Sequence, residues 1–98
     1  MLTGKQRSYL RSMANGIKPI TQIGKSGLTD AFLEQLDLAL DAREIVKVTI
    51  LETSLLDTKD TANEVAQSVR AEFVQAIGNK FVIYRKNHKN PKIELPKG

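Results

Sequence analysis

The 98 residues include no cysteine and no tryptophan. Without thiols the chain has no disulfide scaffold, thiolate zinc site, iron–sulfur cluster or cysteine nucleophile. There is one histidine, His88, set among Lys86, Asn87, Lys89 and Asn90. A lone histidine in such a tail offers no start for a Ser–His–carboxylate relay, and it reads as solvated or phosphate-facing. Aromatic residues make up only 5%. Tyr9 and Tyr84 could stack on bases, but no strand carries an aromatic recognition motif, so stacking-led binding is the weaker option. No apolar run exceeds five residues, which excludes a membrane-spanning helix. The start, MLTGKQRSYLRSM, has neither an apolar signal core nor a small-residue cleavage site, so a cytoplasmic protein is expected.

What remains is 41% hydrophobic and 27% charged. That is ordinary globular material. The length suits one domain, residues 1–98, too small to favour a deep walled active site. The net charge of +4 conceals a sorting along the chain. Residues 1–26 carry five basic side chains and no acidic one; residues 27–79 carry four basic against ten acidic. Residues 80–98 carry six basic against Glu94 alone. Both ends are basic and the middle is acidic. If the ends meet in the fold, they form one positive surface, the footprint of a polyanion binder; the plainer reading is solubility.

Hydrophobic periodicity predicts the order α-β-α-β-α-β-β. Thr3 and Gln6 have capping-box spacing, and a helix runs from there to about Ala14, ended by Asn15-Gly16. Pro19–Ile23 reads as a short strand. Leu28, Phe32, Leu36, Ala39 and Leu40 stripe a second helix from about Thr29 to Arg43. Its carboxylates Glu34, Asp37 and Asp41, with Glu44, read as a solvated face rather than as metal or acid–base chemistry. Ile45–Leu51 alternates as a strand, with Val46, Val48 and Ile50 on one side and Lys47 and Thr49 on the other. Thr61-Ala62-Asn63-Glu64 has capping-box spacing, and Ala62, Val65, Ala66, Val69 and Phe73 predict a third helical core stripe. Val74–Ile77 and Phe81–Arg85 predict a hairpin through Gly78-Asn79. The tail from about Lys86 is basic, Pro-interrupted and expected to be extended. The expected fold is α/β: a single compact domain with a four-stranded mixed sheet packed with three helices.

The motif with chemical content is Gly24-Lys25-Ser26-Gly27, a GxxG loop between a strand and a helix. Its glycines permit close backbone approach, and the helix start directs N–H groups and positive dipole to the same place. Lys25 adds a charge and Ser26 a hydroxyl. The result is a phosphate-sized anion site, or else a turn that merely needs glycine. A nucleotide P-loop fits poorly, because Pro19 stands where its first glycine belongs and the loop is too short to wrap a triphosphate. A dinucleotide fingerprint fails at Gln22.

The run KPITQIGKSGLTDAFLEQLDLALDAREIVKVTIL, followed by VQAIGNKFVIYR and KIELP, resembles the CRM domain (chloroplast RNA splicing and ribosome maturation). It is most similar to the free-standing bacterial YhbY-like members, over about Leu2 to Pro96. The most specific matches are the GxxG loop with Leu28-Thr29, the strand Arg43–Ile50 and the hairpin Ile77–Arg85. The resemblance implies a non-enzymatic RNA-binding domain with a basic sheet face and no cofactor. It also implies a shape similar to the C-terminal domain of a bacterial translation initiation factor. The implied partner is ribosomal RNA in precursors of the large ribosomal subunit, with no membrane and no small-molecule substrate. It implies an RNA loop at Gly24, Lys25, Ser26 and Gly27, and RNA-facing strand positions at Lys47 and Arg85. Charge sorting adds Lys5, Arg7, Arg11, Lys18, Lys86 and Lys89. A rival expectation is a protein-interaction adaptor docking through the acidic second helix.

Overall fold

The computed structural model describes residues 2–97. Met1 and Gly98, part of the expected 1–98 domain, lie outside them. The elements are α1 (Gly4–Ala14), β1 (Thr21–Ile23), α2 (Asp30–Arg43), β2 (Ile45–Ile50), a 3₁₀ turn (Glu52–Ser54), α3 (Thr58–Ser68), β3 (Glu72–Ile77) and β4 (Lys80–Tyr84). The sheet order is β1-β2-β4-β3. β1 and β2 are parallel, as their helical crossover requires. β4 runs antiparallel to both neighbours and so separates β2 from β3. The architecture is the α/β domain that periodicity predicts: three helices on a four-stranded mixed sheet.

Strand alternation builds two cores. Val46, Val48 and Ile50 join Phe81 and Ile83 beneath Phe32, Leu36 and Leu40 of α2 and Ala62, Val65 and Ala66 of α3. On the opposite sheet face, Ile45, Val82 and Tyr84 pack with Leu10 and Ala14 of α1. Ile93 and Leu95 complete that second core, because the tail folds back over it. The tail is therefore not simply extended. The expected α1 capping box is present, with Thr3 and Gln6 bonded reciprocally.

The third helix departs from expectation at both ends. It begins a turn earlier, capped by Asp57, whose side chain accepts from the Asp60 N–H; Thr61 lies buried within it. It stops at Ser68, and Arg70 takes a left-handed backbone with a φ of 56°. Phe73 consequently belongs to β3, opposite Ile83, and only packs against the first core. A helical step of eleven residues and the alternation of a following strand aim a side chain at the same core, so periodicity could not separate them.

Candidate nucleic-acid interface

The GxxG loop joins β1 to α2 at the end of the sheet where β2 also terminates. Leu51 N–H donates to Ile23 O at 2.8 Å, so the chain leaves both strands side by side. Gly27 N–H closes the turn on Gly24 O at 2.9 Å. Gly27 has a φ of 68°, whereas Gly24 has an ordinary backbone. The left-handed conformation at Gly27 disfavours any Cβ. Thr29 then caps α2, its hydroxyl accepting from Phe32 N–H at 3.0 Å. These constraints leave Lys25 and Ser26 exposed at the tip. Asp30 in the first turn of α2 already complements part of the helix dipole. Lys25 is therefore the loop's main source of positive charge.

Register extends this end across the sheet. Gln22, Thr49, Lys80 and Ile77 are successive partners in one cross-strand row on the α1 side. Lys47, Val82 and Gln75 form the next row, and Ile45, Tyr84 and Glu72 the third. The third row lies under α1 and the tail. In the first, Gln22, Ile77 and Lys80 are exposed, and Lys47 in the second is half-buried. The first row is thus open and, apart from Ile77, polar and basic, with Lys47 half-buried beside it. Lys80 is a residue the sequence reading left out. Its signal was the alternation of β4, which puts Lys80 on the opposite face from Phe81.

The two basic chain ends do meet. Gln6 Nε2 donates to Pro96 O at 3.1 Å, and Leu2 and Leu10 share a core with Ile93 and Leu95. Lys5, Arg11, Lys86 and Lys89 are exposed on these two elements, and Lys18 is exposed in the connection to β1. Arg7 is half-buried, its Nε donating to Phe73 O at 3.3 Å. The acidic α2 packs on the other sheet face.

Arg85 requires a correction. Expected beside Lys47, it follows Tyr84, which pairs with Ile45, and alternation turns it to the α2 side. There its guanidinium donates to Asp37 Oδ1 at 2.6 Å, Asp41 Oδ1 at 3.0 Å, Asp37 O at 2.9 Å and Val69 O at 2.8 Å. Arg85 is a clasp between α2 and the end of α3. Glu34, Asp37 and Asp41 lie on an exposed face of α2 as expected, with Asp37 and Asp41 also meeting Arg85.

Glu44 is the larger surprise. It caps α2 with a φ of 66°, and its side chain is fully buried. Glycine is the common choice for a left-handed cap. Oε2 accepts from Asn87 N–H at 2.7 Å; Oε1 accepts from the N–H groups of Lys92 and Ile93. Burial pushes this carboxyl up, but the three N–H donors and the Lys86 ammonium outweigh it and hold it below its ordinary value. A residue expected in solvent is the peg on which the basic tail hangs. The sequence carried no sign of this, because the partners are backbone amides 43 to 49 positions away.

The sequence and the overall fold match known proteins. The CRS1 / YhbY (CRM) domain description fits residues 2–85. The chain belongs to the CRM domain family. A Bacillus subtilis relative, named probable RNA-binding protein YqeI, is 44% identical over 98% of this chain and 100% of its own. A Haemophilus influenzae relative named RNA-binding protein is 30% identical over 98% of this chain and 96% of its own. The solution structure of SAV1595 from Staphylococcus aureus superposes with TM-score 0.82 at 47% identity, covering 98% of this chain and 100% of that one. In this CRM domain no described helix is long and apolar enough to cross a membrane.

Proposed function

We propose that this CRM domain binds RNA without turnover, acting on ribosomal RNA in precursors of the large ribosomal subunit. The carrying observation is the separation of charge by sheet face. The basic α1 and the returning tail pack on the face that carries Lys47 and Lys80, and the acidic helix occupies the other. The relatives named RNA-binding proteins support the same reading. The groups offered are ammonium, hydroxyl and amide donors, which hold phosphates and recognise RNA by shape. The GxxG tip and the α1–tail surface are the two contact regions in this reading. Docking through α2 is less favoured, since Arg85 occupies Asp37 and Asp41.

The test replaces Lys25 and Ser26 by Asp. Both side chains are exposed and the turn is closed by backbone, so thermal stability holds. Affinity for structured ribosomal RNA fragments falls about tenfold or more, since about 1.4 kcal/mol suffices. Affinity within twofold of wild type would reduce the loop to a turn. In-cell crosslinking tests the target. Reads concentrated on large-subunit RNA precursors support the assembly role, and reads spread evenly over messenger RNA refute it.

A further inference from the structure

Tyr84 is 3% exposed, and its hydroxyl is the buried side-chain polar atom left without a hydrogen-bond partner among the described residues. Buried polar groups are nearly always paired, because an unpaired one has lost water without compensation. Phenylalanine would fill the same space without that penalty. The hydroxyl therefore calls for a partner that is not part of the chain.

The hydroxyl itself is covered, but Tyr84 borders open space. Two adjoining recesses, between the start of α1, the end of β4 and the returning tail, share Gln6, Tyr84, Lys86 and Leu95 as walls. One, of about 560 Å³, runs along Pro91–Lys97. That volume lies within the range of roughly 300–1,000 Å³ found for small-molecule sites. The other opens past His88 and Arg70. Carboxylates also line the crevice: Glu94 in the first recess, and Glu72, which has a partner of its own, in the second. The walls mix leucine and proline with an amide, a phenol and cations. A bare phosphate would leave the apolar walls unused, and a purely apolar ligand would leave the hydroxyl unpaired.

We infer that this crevice takes one unstacked nucleotide of a bound RNA strand, whose entry uncovers Tyr84 Oη so that it donates to a base acceptor, with Lys86 and His88 meeting the phosphate. The inference rests on the RNA-binding reading and adds to it a site away from the GxxG loop. Bases held in a duplex keep their edges paired, whereas a splayed base can present one to a side chain. Burial, and then the Glu44 charge, push the phenol up, so it stays a donor at neutral pH.

The test compares full-length wild type with Tyr84→Phe, using four labelled homopolymeric RNA hexamers and the four nucleoside monophosphates. Tyr84→Phe leaves the unfolding midpoint unchanged or raises it, because it removes an unpaired buried hydroxyl. Wild type prefers one homopolymer, and the variant loses about three- to tenfold on that one with the others little changed. The matching monophosphate shifts the amide resonances of Tyr84, Lys86 and Leu95. Equal affinity of the two proteins for all four hexamers overturns the crevice and leaves RNA binding standing. Inorganic phosphate reproducing the same shifts overturns the base contact. Failure of wild type to bind any RNA, structured fragments included, overturns the RNA reading and this inference with it.

Discussion

Replacing Glu44 by Gln tests the tail anchor without changing its shape. Three backbone N–H groups converge on the buried carboxylate. Hydrogen bonds to a charged group contribute about 1.5–3 kcal/mol each, against about 0.5–1.5 for neutral pairs. A glutamine can keep its carbonyl toward Lys92 and Ile93, but its NH₂ then faces the Asn87 N–H. With the tail held in place the loss is roughly 3–5 kcal/mol. The tail has an escape, since its amides can return to water. Release gives up the half-buried Ile93 and Leu95, about 1 kcal/mol each, and the Gln6–Pro96 hydrogen bond, which water can replace, and regains chain entropy. The variant therefore opens locally instead of unfolding. Amide exchange at Lys92 and Ile93 rises at least about tenfold, while Val46, Val48 and Phe81 stay protected. The same release occurs in wild type at acid pH. The folded carboxyl lies below its ordinary 4.5. Its contribution is therefore complete above that ordinary value and is lost as pH falls through the lower folded value. In the glutamine variant, tail exchange has no such acid step. Unchanged exchange at Lys92 and Ile93 in Glu44→Gln would refute the anchor.

Two further comparisons separate structural from recognition roles. Gly27 has a left-handed backbone. Gly27→Ala therefore destabilises by about 1–2 kcal/mol, the cost of placing a Cβ in that conformation. Gly24→Ala is nearly neutral, since its new Cβ meets only Leu51 Cδ1 at 3.6 Å; equal urea midpoints for the two variants would contradict this. Both aspartates that meet Arg85 are more than half exposed, so their ion pairs contribute little. Arg85→Ala costs about 1–3 kcal/mol, mainly through the Val69 and Asp37 carbonyls. RNA affinity of Arg85→Ala stays within twofold of wild type, and a tenfold loss in a folded variant would return Arg85 to the interface.

Much of the architecture was legible because it is local. The capping box at Thr3, the stripe Phe32–Leu36–Leu40 and the alternation of Ile45–Ile50 each lie within a few turns or strand steps. Side-chain period alone assigns them. The helix–strand crossover then forces β1 and β2 parallel. Reading failed where local signals coincide. Phe73 fits both a helical stripe and a strand, and only the left-handed Arg70 shows where the helix must stop.

By itself the sequence determined the element order, the composition of the cores, the GxxG loop and the sorting of charge along the chain. These follow from nearest neighbours and from covalent order. Tertiary structure alone decided which charges work together. Lys47 and Arg85, both on strands in the sequence reading, part to opposite faces because β2 and β4 pair with Ile45 against Tyr84. Arg85 is neutralised by carboxylates 44 and 48 residues away. Glu44, one carboxylate among several on paper, becomes a buried peg because the returning tail brings it three amides. Hydrogen bonds of that kind depend on distance and direction between remote backbone groups, and no periodicity encodes them.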